Sequence, residues 1–465
     1  KRNILHRVSF IEGTLPVTYL GLPLMTKRLS KSDCNPLIER IVSRVNSWVC
    51  KALSFADRLQ LVTAILISMQ TYWCSTFLLP MSIIKECERV FRSFLWGGHG
   101  RGKVRWAEVC KPLKEGGLGV KDLKMWNKAL ILKQIWSVLM DQSLWAKWCH
   151  AYLLRKYNFW TAPTTGLLSW SWRQILLLRP LAKEHIIYRC GNGERFSLWY
   201  DPWLHGESVH ALYGHRVIYD TGLDKLARVK SIIREGEWSW PQTSCDLIDI
   251  QQRVLNIPIS SAPDSIHWHK VGEVFSTASA WQAIRRRSNV APWHDVVWHP
   301  KRIPKHAFSL WLALRGAHRT TDKLLAMGIV QDAACAFHCG ETESLEYLFF
   351  QCPYSANVWR DILSMCNVVR PIVSWPLEVQ WMLTHAKGKE FHHTIRKLAF
   401  AATVYHLWIE RNRRSFRNHF LPCQDIVHLV RQDVCGKLFN GNNSKRCEQE
   451  HSLCVNWGIP LDETM

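Results

Sequence analysis

The chain has 465 residues, 47% of them hydrophobic, which excludes a disordered tail and allows several domains with buried cores. Lys and Arg outnumber Asp and Glu by 60 to 38, a net charge of +22, with 25 basic and 10 acidic side chains in residues 1–160. That excess favours a polyanionic partner, nucleic acid before a membrane surface.

Residues 14–24, TLPVTYLGLPL, are broken by Pro16, Gly21 and Pro23 and read as an extended, turn-rich entry. Ser32 or Asp33 then caps a helix with Leu37, Ile41, Val45 and Trp48 on one face. A second helix starts near Ser54 and carries Leu59, Val62, Leu66 and Met69. A third is expected from Ser82 to Trp96, with Ile83, Cys87, Val90 and Phe94 apolar and Lys85, Arg89 and Arg92 polar. Leu59–Ile84 has no charge over 26 residues, but Gln60, Ser68, Gln70 and Pro80 interrupt it and no basic clusters flank both ends. A buried helix plus an extended connector is expected there, and no membrane partner.

Gly97 to Lys103, GGHGRGK, reads as a flexible basic loop. It matches Gly-x-x-x-x-Gly-Lys, but Val104 stands where a hydroxyl should hold magnesium and a helix precedes it instead of a strand. Non-specific phosphate contact by Arg89, Arg92, Arg101, Lys103 and Arg105 is the better reading. GGLGV at 116–120 precedes an apolar helix around Lys124–Met140, and residues 141–185 look helical and rich in tryptophan. Gly191–Leu204 suggests a turn and a short strand with Phe196, Leu198 and Tyr200 alternating. Residues 205–262 show no period and read as linker. Helical patterning resumes from Asp264 to Trp359, a strong helix covers His393 to Phe416, and the tail after Gly436 is polar and expected to be loose.

Most of the 25 tryptophans are expected as core anchors, and a few as base-stacking platforms. The 16 cysteines form no regular framework, which fits a reducing compartment, nuclear or cytoplasmic. The chain begins at Lys1 with no apolar run behind it, so a signal peptide is not expected and the sequence reads as a piece of something longer. No Asp-Asp pair, Gly-x-Ser-x-Gly elbow or His-Glu-x-x-His is present, so no catalytic constellation is visible and the chain alone is not expected to be an enzyme. Asp57, in FADR, reads as a carboxylate at a helix N-terminus.

The sharpest feature is CAFHCGETESLEYLFFQC, Cys335 to Cys352. Structural zinc wants four Cys or His ligands, usually as two closely spaced pairs. Cys335, His338 or Cys339, and Cys352 could supply three, with a fourth from elsewhere; buried thiols in a helical core are the alternative.

LPVTYLGLPL (15–24), FADRLQLVTAIL (55–66), FRSFLWGG (91–98), GGLGVKDLKMWNKALILKQIW (116–136) and GNGERFSLWYDPWL (191–204) carry a resemblance in an ordered run. FSTASAWQAI (275–284), PKHAFSLWLAL (304–314), the cysteine window and WIERNRRSF (408–416) continue it. The chain resembles the C-terminal part of a plant non-LTR retrotransposon reverse transcriptase, beyond its polymerase palm. That likeness implies a mainly α, multi-domain chain. A thumb-like helical bundle would span 1–100 and a connector with short strands, mixed and Trp-rich, 101–262. A helical zinc-binding domain would follow at 263–365, then a C-terminal helix and polar tail at 366–465. It implies zinc on Cys335, His338, Cys339 and Cys352, an incomplete set because Tyr347 stands where the family has His. It also implies an RNA or RNA–DNA template–primer as partner, with catalytic carboxylates in a palm domain upstream. The alternatives are a degenerate relic with no selected activity, or a fragment of an RNA-directed DNA polymerase active only with its palm.

Overall fold

Leu37, Ile41 and Val45 are spaced to share one helical face, and they are the residues that the helix Asn35–Val49 buries. Ser54 starts the next helix, Phe55–Leu61, with a reciprocal cap: its hydroxyl accepts the Asp57 N–H, and the Asp57 carboxylate accepts the Ser54 N–H at 3.0 Å. One π-helical stretch, Val62–Leu66, carries the chain into a further helix, Ile67–Thr76. An extended connector leads to Met81–Leu95, which buries Ile83, Cys87, Val90 and Phe94 as patterned. The uncharged run is therefore helix plus connector, and among the described residues no helix is long and apolar enough to cross a membrane. The structure, a computed structural model, describes residues 17–25, 27–49, 52–98, 102–439 and 450–459. It is mainly α; its sheets among those residues are three antiparallel two-stranded pairs.

The described chain divides into two compact units, each built from separated stretches. The described residues within 1–43, 67–88 and 122–287 form one; those within 44–66, 89–121 and 288–465 form the other. The first hundred residues, expected as one bundle, are thus shared between both. The physical reason lies in long-range packing: Ile67–Thr76 lies against Leu123–Met140 in one unit, and Phe55–Leu61 against Pro304–Leu314 in the other.

In the first unit the helix Leu123–Met140 is capped by Asp122, whose carboxylate accepts the Met125 N–H at 2.8 Å. Its buried Asn127 donates to the Cys74 and Phe77 carbonyls and accepts the Leu79 N–H, so one amide satisfies the end of Ile67–Thr76 and the connector after it. Thr277–Ile284 packs on the same helix. Ile186–Arg189 pairs with Ser265–Trp268, with Ile186 opposite Trp268 and Tyr188 opposite Ile266.

Two expectations fail in this unit. Gly191–Leu204 makes turns and two isolated bridges, at Ser197 and Leu204, instead of a strand, and Phe196, Leu198 and Trp199 are all buried, so no alternation exists. The buried Asp264 carboxylate shapes this loop by accepting the N–H groups of Gly191, Gly193, Arg195 and Phe196 at 2.7–3.2 Å. Residues 205–262 are core and not linker: Val209, Val217, Ile232, Trp238, Leu247 and Ile250 are buried. Val209–Tyr213, Arg216–Thr221 and a two-residue hairpin each bury one or two apolar residues, too few for a period to show, whereas Cys245–Val254 buries Leu247, Ile250 and Val254 at helical spacing. Replacing Asp264 by Ala should orphan its four donors and cost about 2–4 kcal/mol, measured by chemical unfolding.

In the second unit the helix Phe391–Arg417 lies against Pro304–Leu314 and Cys423–Phe439. Phe350, Trp375 and Phe400 stack with centroids 5.7–5.9 Å apart. The GGLG turn fits tightly: Gly116 has φ +78°, and its carbonyl accepts from Trp311 Nε1 at 2.8 Å and from Arg315. Against the expectation of a loose tail after Gly436, His451–Trp457 is helical and buries Leu453, Cys454 and Trp457. Tryptophans serve the core of both units as expected; Trp199, Trp268, Trp311, Trp359 and Trp457 are almost wholly buried.

Candidate metal centre and basic surface

The cysteine window forms a knuckle followed by a wide helical turn. Cys335 N–H donates to Glu341 O, Glu343 N–H to Ala333 O, and His338 N–H to Cys335 O. The tight turn needs positive φ at His338 (+56°) and Gly340 (+88°). Tyr347–Gln351 is π-helical, closed by the Cys352 N–H on the Tyr347 carbonyl. In an α-helix, residues five apart face different sides; the wider i→i+5 turn brings Tyr347 and Cys352 to one side. Pro353 then begins the helix Pro353–Met365, with Cys352 as its N-cap residue.

These two elements bring together Cys335, Cys339 and Cys352. The Cys352 sulfur is 3.9 Å from that of Cys335 and 3.7 Å from that of Cys339. Tetrahedral zinc with bonds of about 2.3 Å to sulfur requires sulfurs roughly 3.8 Å apart, so the three thiols fit zinc. Cys335 and Cys352 are buried and Cys339 is half-buried. The hydroxyl of Tyr347 is 3.1 Å from the Cys339 sulfur, at the edge of the set.

Electrostatics separates the donors. Cys352 is pulled down to about 6 by the hydrogen bond from Cys335, against its burial and helped by the Ser355 and Tyr354 N–H groups. The same bond pushes Cys335 far up, because it must keep its proton to donate it. Burial, with Cys339 as its partner, holds the Tyr347 phenol above its ordinary range, so it is protonated at neutral pH and a poor anion for a metal.

Of the sequence candidates, His338 is not brought to this cluster. It is exposed, and its ring faces Phe420 at 5.6 Å. The left-handed backbone at His338 turns the ring out of the knuckle, and Cys339 takes the ligand position. The basic candidates also divide. Arg89 and Arg105 are exposed. Arg92 is half-buried, its guanidinium 5.9 Å over Trp106. Lys103 is half-buried with its ammonium 4.6 Å over Phe55. Burial, and the Arg319 charge after it, lower its pKa. Arg101 lies outside the described residues.

Two features escaped the sequence reading. Glu343, inside the window, is wholly buried and accepts from Arg411 Nε at 2.9 Å. Its oxygens also take the N–H groups of Thr321 and of Ala336, the residue after Cys335, so this ion pair holds the knuckle on the helix Phe391–Arg417. The only advance sign was a Glu three residues from an apolar run. The second is Asp433, whose Oδ2 lies 3.0 Å from His306, 2.8 Å from His406 and 3.4 Å from Lys305. Burial alone would raise this carboxyl, but the two imidazoles and Lys305 hold it well below the carboxylate range. With an ammonium already on that oxygen, the cluster is a charge-neutralising hub.

Residues 275–359 match the family described as zinc-binding in reverse transcriptase, and the three thiols fall inside that match. The chain is 30% identical over 364 residues to an Arabidopsis thaliana protein named "Putative ribonuclease H protein", covering 73% of this chain and 57% of that one. It is 25% identical over 152 residues to an "Uncharacterized mitochondrial protein" of the same plant, 30% of this chain and 96% of that one. The chain therefore spans little more than half the length of the first relative. A zinc-binding segment of this type and these relatives support a reverse transcriptase-related protein.

Proposed function

We propose that this chain is the nucleic-acid-gripping, non-catalytic part of a retroelement-derived, non-LTR reverse transcriptase, and that Cys335, Cys339 and Cys352 hold one zinc ion. The observation that carries this reading is the zinc-like spacing of three sulfurs inside a segment of the matching family. Zinc would act structurally, tying the knuckle to the start of Pro353–Met365, with Tyr347 or water as the fourth donor. The helices that include Phe55–Leu61 would serve as a thumb-like element beside a template–primer, and polymerisation would belong to a palm supplied elsewhere.

The net charge of +22 and the exposed Arg89 and Arg105 support phosphate contact. Fluorescence anisotropy with a labelled RNA–DNA hybrid tests it. Affinity should fall steeply and log-linearly with salt, and Arg89→Ala and Arg105→Ala should each reduce the slope by about 1 without changing sequence preference. Absence of binding at low salt would overturn the reading. A relic with no selected activity is favoured by one observation, the phenol of Tyr347 at a ligand position.

A further inference from the structure

The second unit holds a cavity of about 800 Å³, within the range of roughly 300–1,000 Å³ that takes one organic ligand. The start of Phe55–Leu61 and the helices Pro304–Leu314 and Phe391–Arg417 wall it. Phe55, Phe308, Tyr405 and Trp408 line it, with Lys103 and Arg319 among them. No carboxylate occurs among its described lining residues. Neither Lys103 nor Arg319 has an ion-pair partner among the described residues. Arg58, Lys305 and Arg411 line it too, Lys305 and Arg411 answered by Asp433 and Glu343 and Arg58 held on the Phe94 carbonyl; the remaining cations in a partly apolar cleft, without an anion, are costly until one arrives.

We infer that this cleft binds unpaired nucleotides of a single strand, with bases against the aromatic walls and phosphate at Lys103 and Arg319. The inference rests on the nucleic-acid reading above and adds the strandedness and the place. Aromatic faces beside unpaired cations suit a splayed base and its phosphate. A duplex keeps its bases stacked inside and cannot present them to a recessed ring. An apolar peptide would use the rings but leave both cations unanswered. The Lys103 ammonium over Phe55, which itself stacks on Phe308, sets a phosphate-binding cation directly beside the aromatic wall. The exposed Arg89 and Arg105 lie outside this lining set, so grip on a duplex surface and capture of a single strand are separable.

The test uses the full chain with short oligoadenylates, one ribo and one deoxy, each carrying a single 2-aminopurine. Stacking should quench the probe saturably, and the blunt duplex of the same sequence should bind about tenfold more weakly at the cleft. Lys103→Met with Arg319→Gln should weaken single-strand binding about tenfold, abolish the quenching, weaken duplex binding by a clearly smaller factor and leave the thermal midpoint within a few degrees. The ribo and deoxy arms distinguish an RNA strand from a DNA strand. Equal single-strand and duplex binding without quenching would overturn the cleft and leave the basic surface standing. Displacement of the probe by an apolar amphipathic peptide at lower concentration than by oligonucleotide would assign the cleft to a protein and overturn the inference. No binding of any nucleic acid at low salt would overturn both readings together.

Discussion

The purified chain should carry one zinc ion by elemental analysis, and Cys335→Ser with Cys352→Ser should carry none. Each sulfur is one corner of a set spaced 3.7 and 3.9 Å, and serine places a hydroxyl of high pKa where a thiolate is needed. Apparent zinc-binding energies in small structural sites run to about 10–16 kcal/mol, so even a fraction of that makes zinc loss the largest single destabilisation available here. The unfolding midpoint should fall on chelation in the parent and stay unchanged in the serine variant. Tyr347→His sharpens the test. The phenol lies 3.1 Å from the Cys339 sulfur and keeps its proton, whereas a neutral imidazole would complete a Cys₃His set. Zinc affinity should rise at least tenfold, about 1.4 kcal/mol. A parent without zinc and a Tyr347→His variant without it would show that the thiols are only packed.

Breaking the Glu343–Arg411 pair should unfold the knuckle from beneath. Both side chains are essentially solvent-free, so either residue alone becomes a buried, uncompensated charge. Arg411→Ala or Glu343→Ala should each cost about 3–5 kcal/mol in chemical denaturation. The double change Glu343→Leu with Arg411→Met should cost far less than the two single losses added, because the desolvation penalty disappears with both charges. Glu343 also orients Ala336 between Cys335 and Cys339, so the single variants should lose zinc more readily than the double variant loses stability. A single variant within about 1 kcal/mol of the parent would mean that the pair is hydrated in solution.

Much of the architecture was readable from local pattern. Leu37, Ile41 and Val45, then Ile83, Cys87, Val90 and Phe94, are buried because helical spacing lines them up. The Ser54 cap and the helix Phe391–Arg417 follow from the same local rules. Residues 205–262 were mostly not readable, since Val217 and Trp238 enter the core from elements too short for a period; only Leu247, Ile250 and Val254 of Cys245–Val254 keep helical spacing. Nor could spacing foresee that the first hundred residues would be divided between two units, because helix partners such as Leu123–Met140 and Pro304–Leu314 lie far along the chain.

The candidate metal centre divides along the same line. Sequence by itself determined that thiols cluster between Cys335 and Cys352, that the chain is strongly basic and that Tyr347 stands in a ligand position. Only the tertiary structure decided between the neighbours His338 and Cys339. The backbone of one tight turn points the imidazole outward and the thiol inward, and spacing carries no information about that dihedral. It also decided that Tyr347 and Cys352 share a side, through a π-helical turn, and that Glu343 meets Arg411 across 68 positions. Local composition sets which groups are present; long-range burial selects the few geometries in which each of their charges and hydrogen bonds is answered.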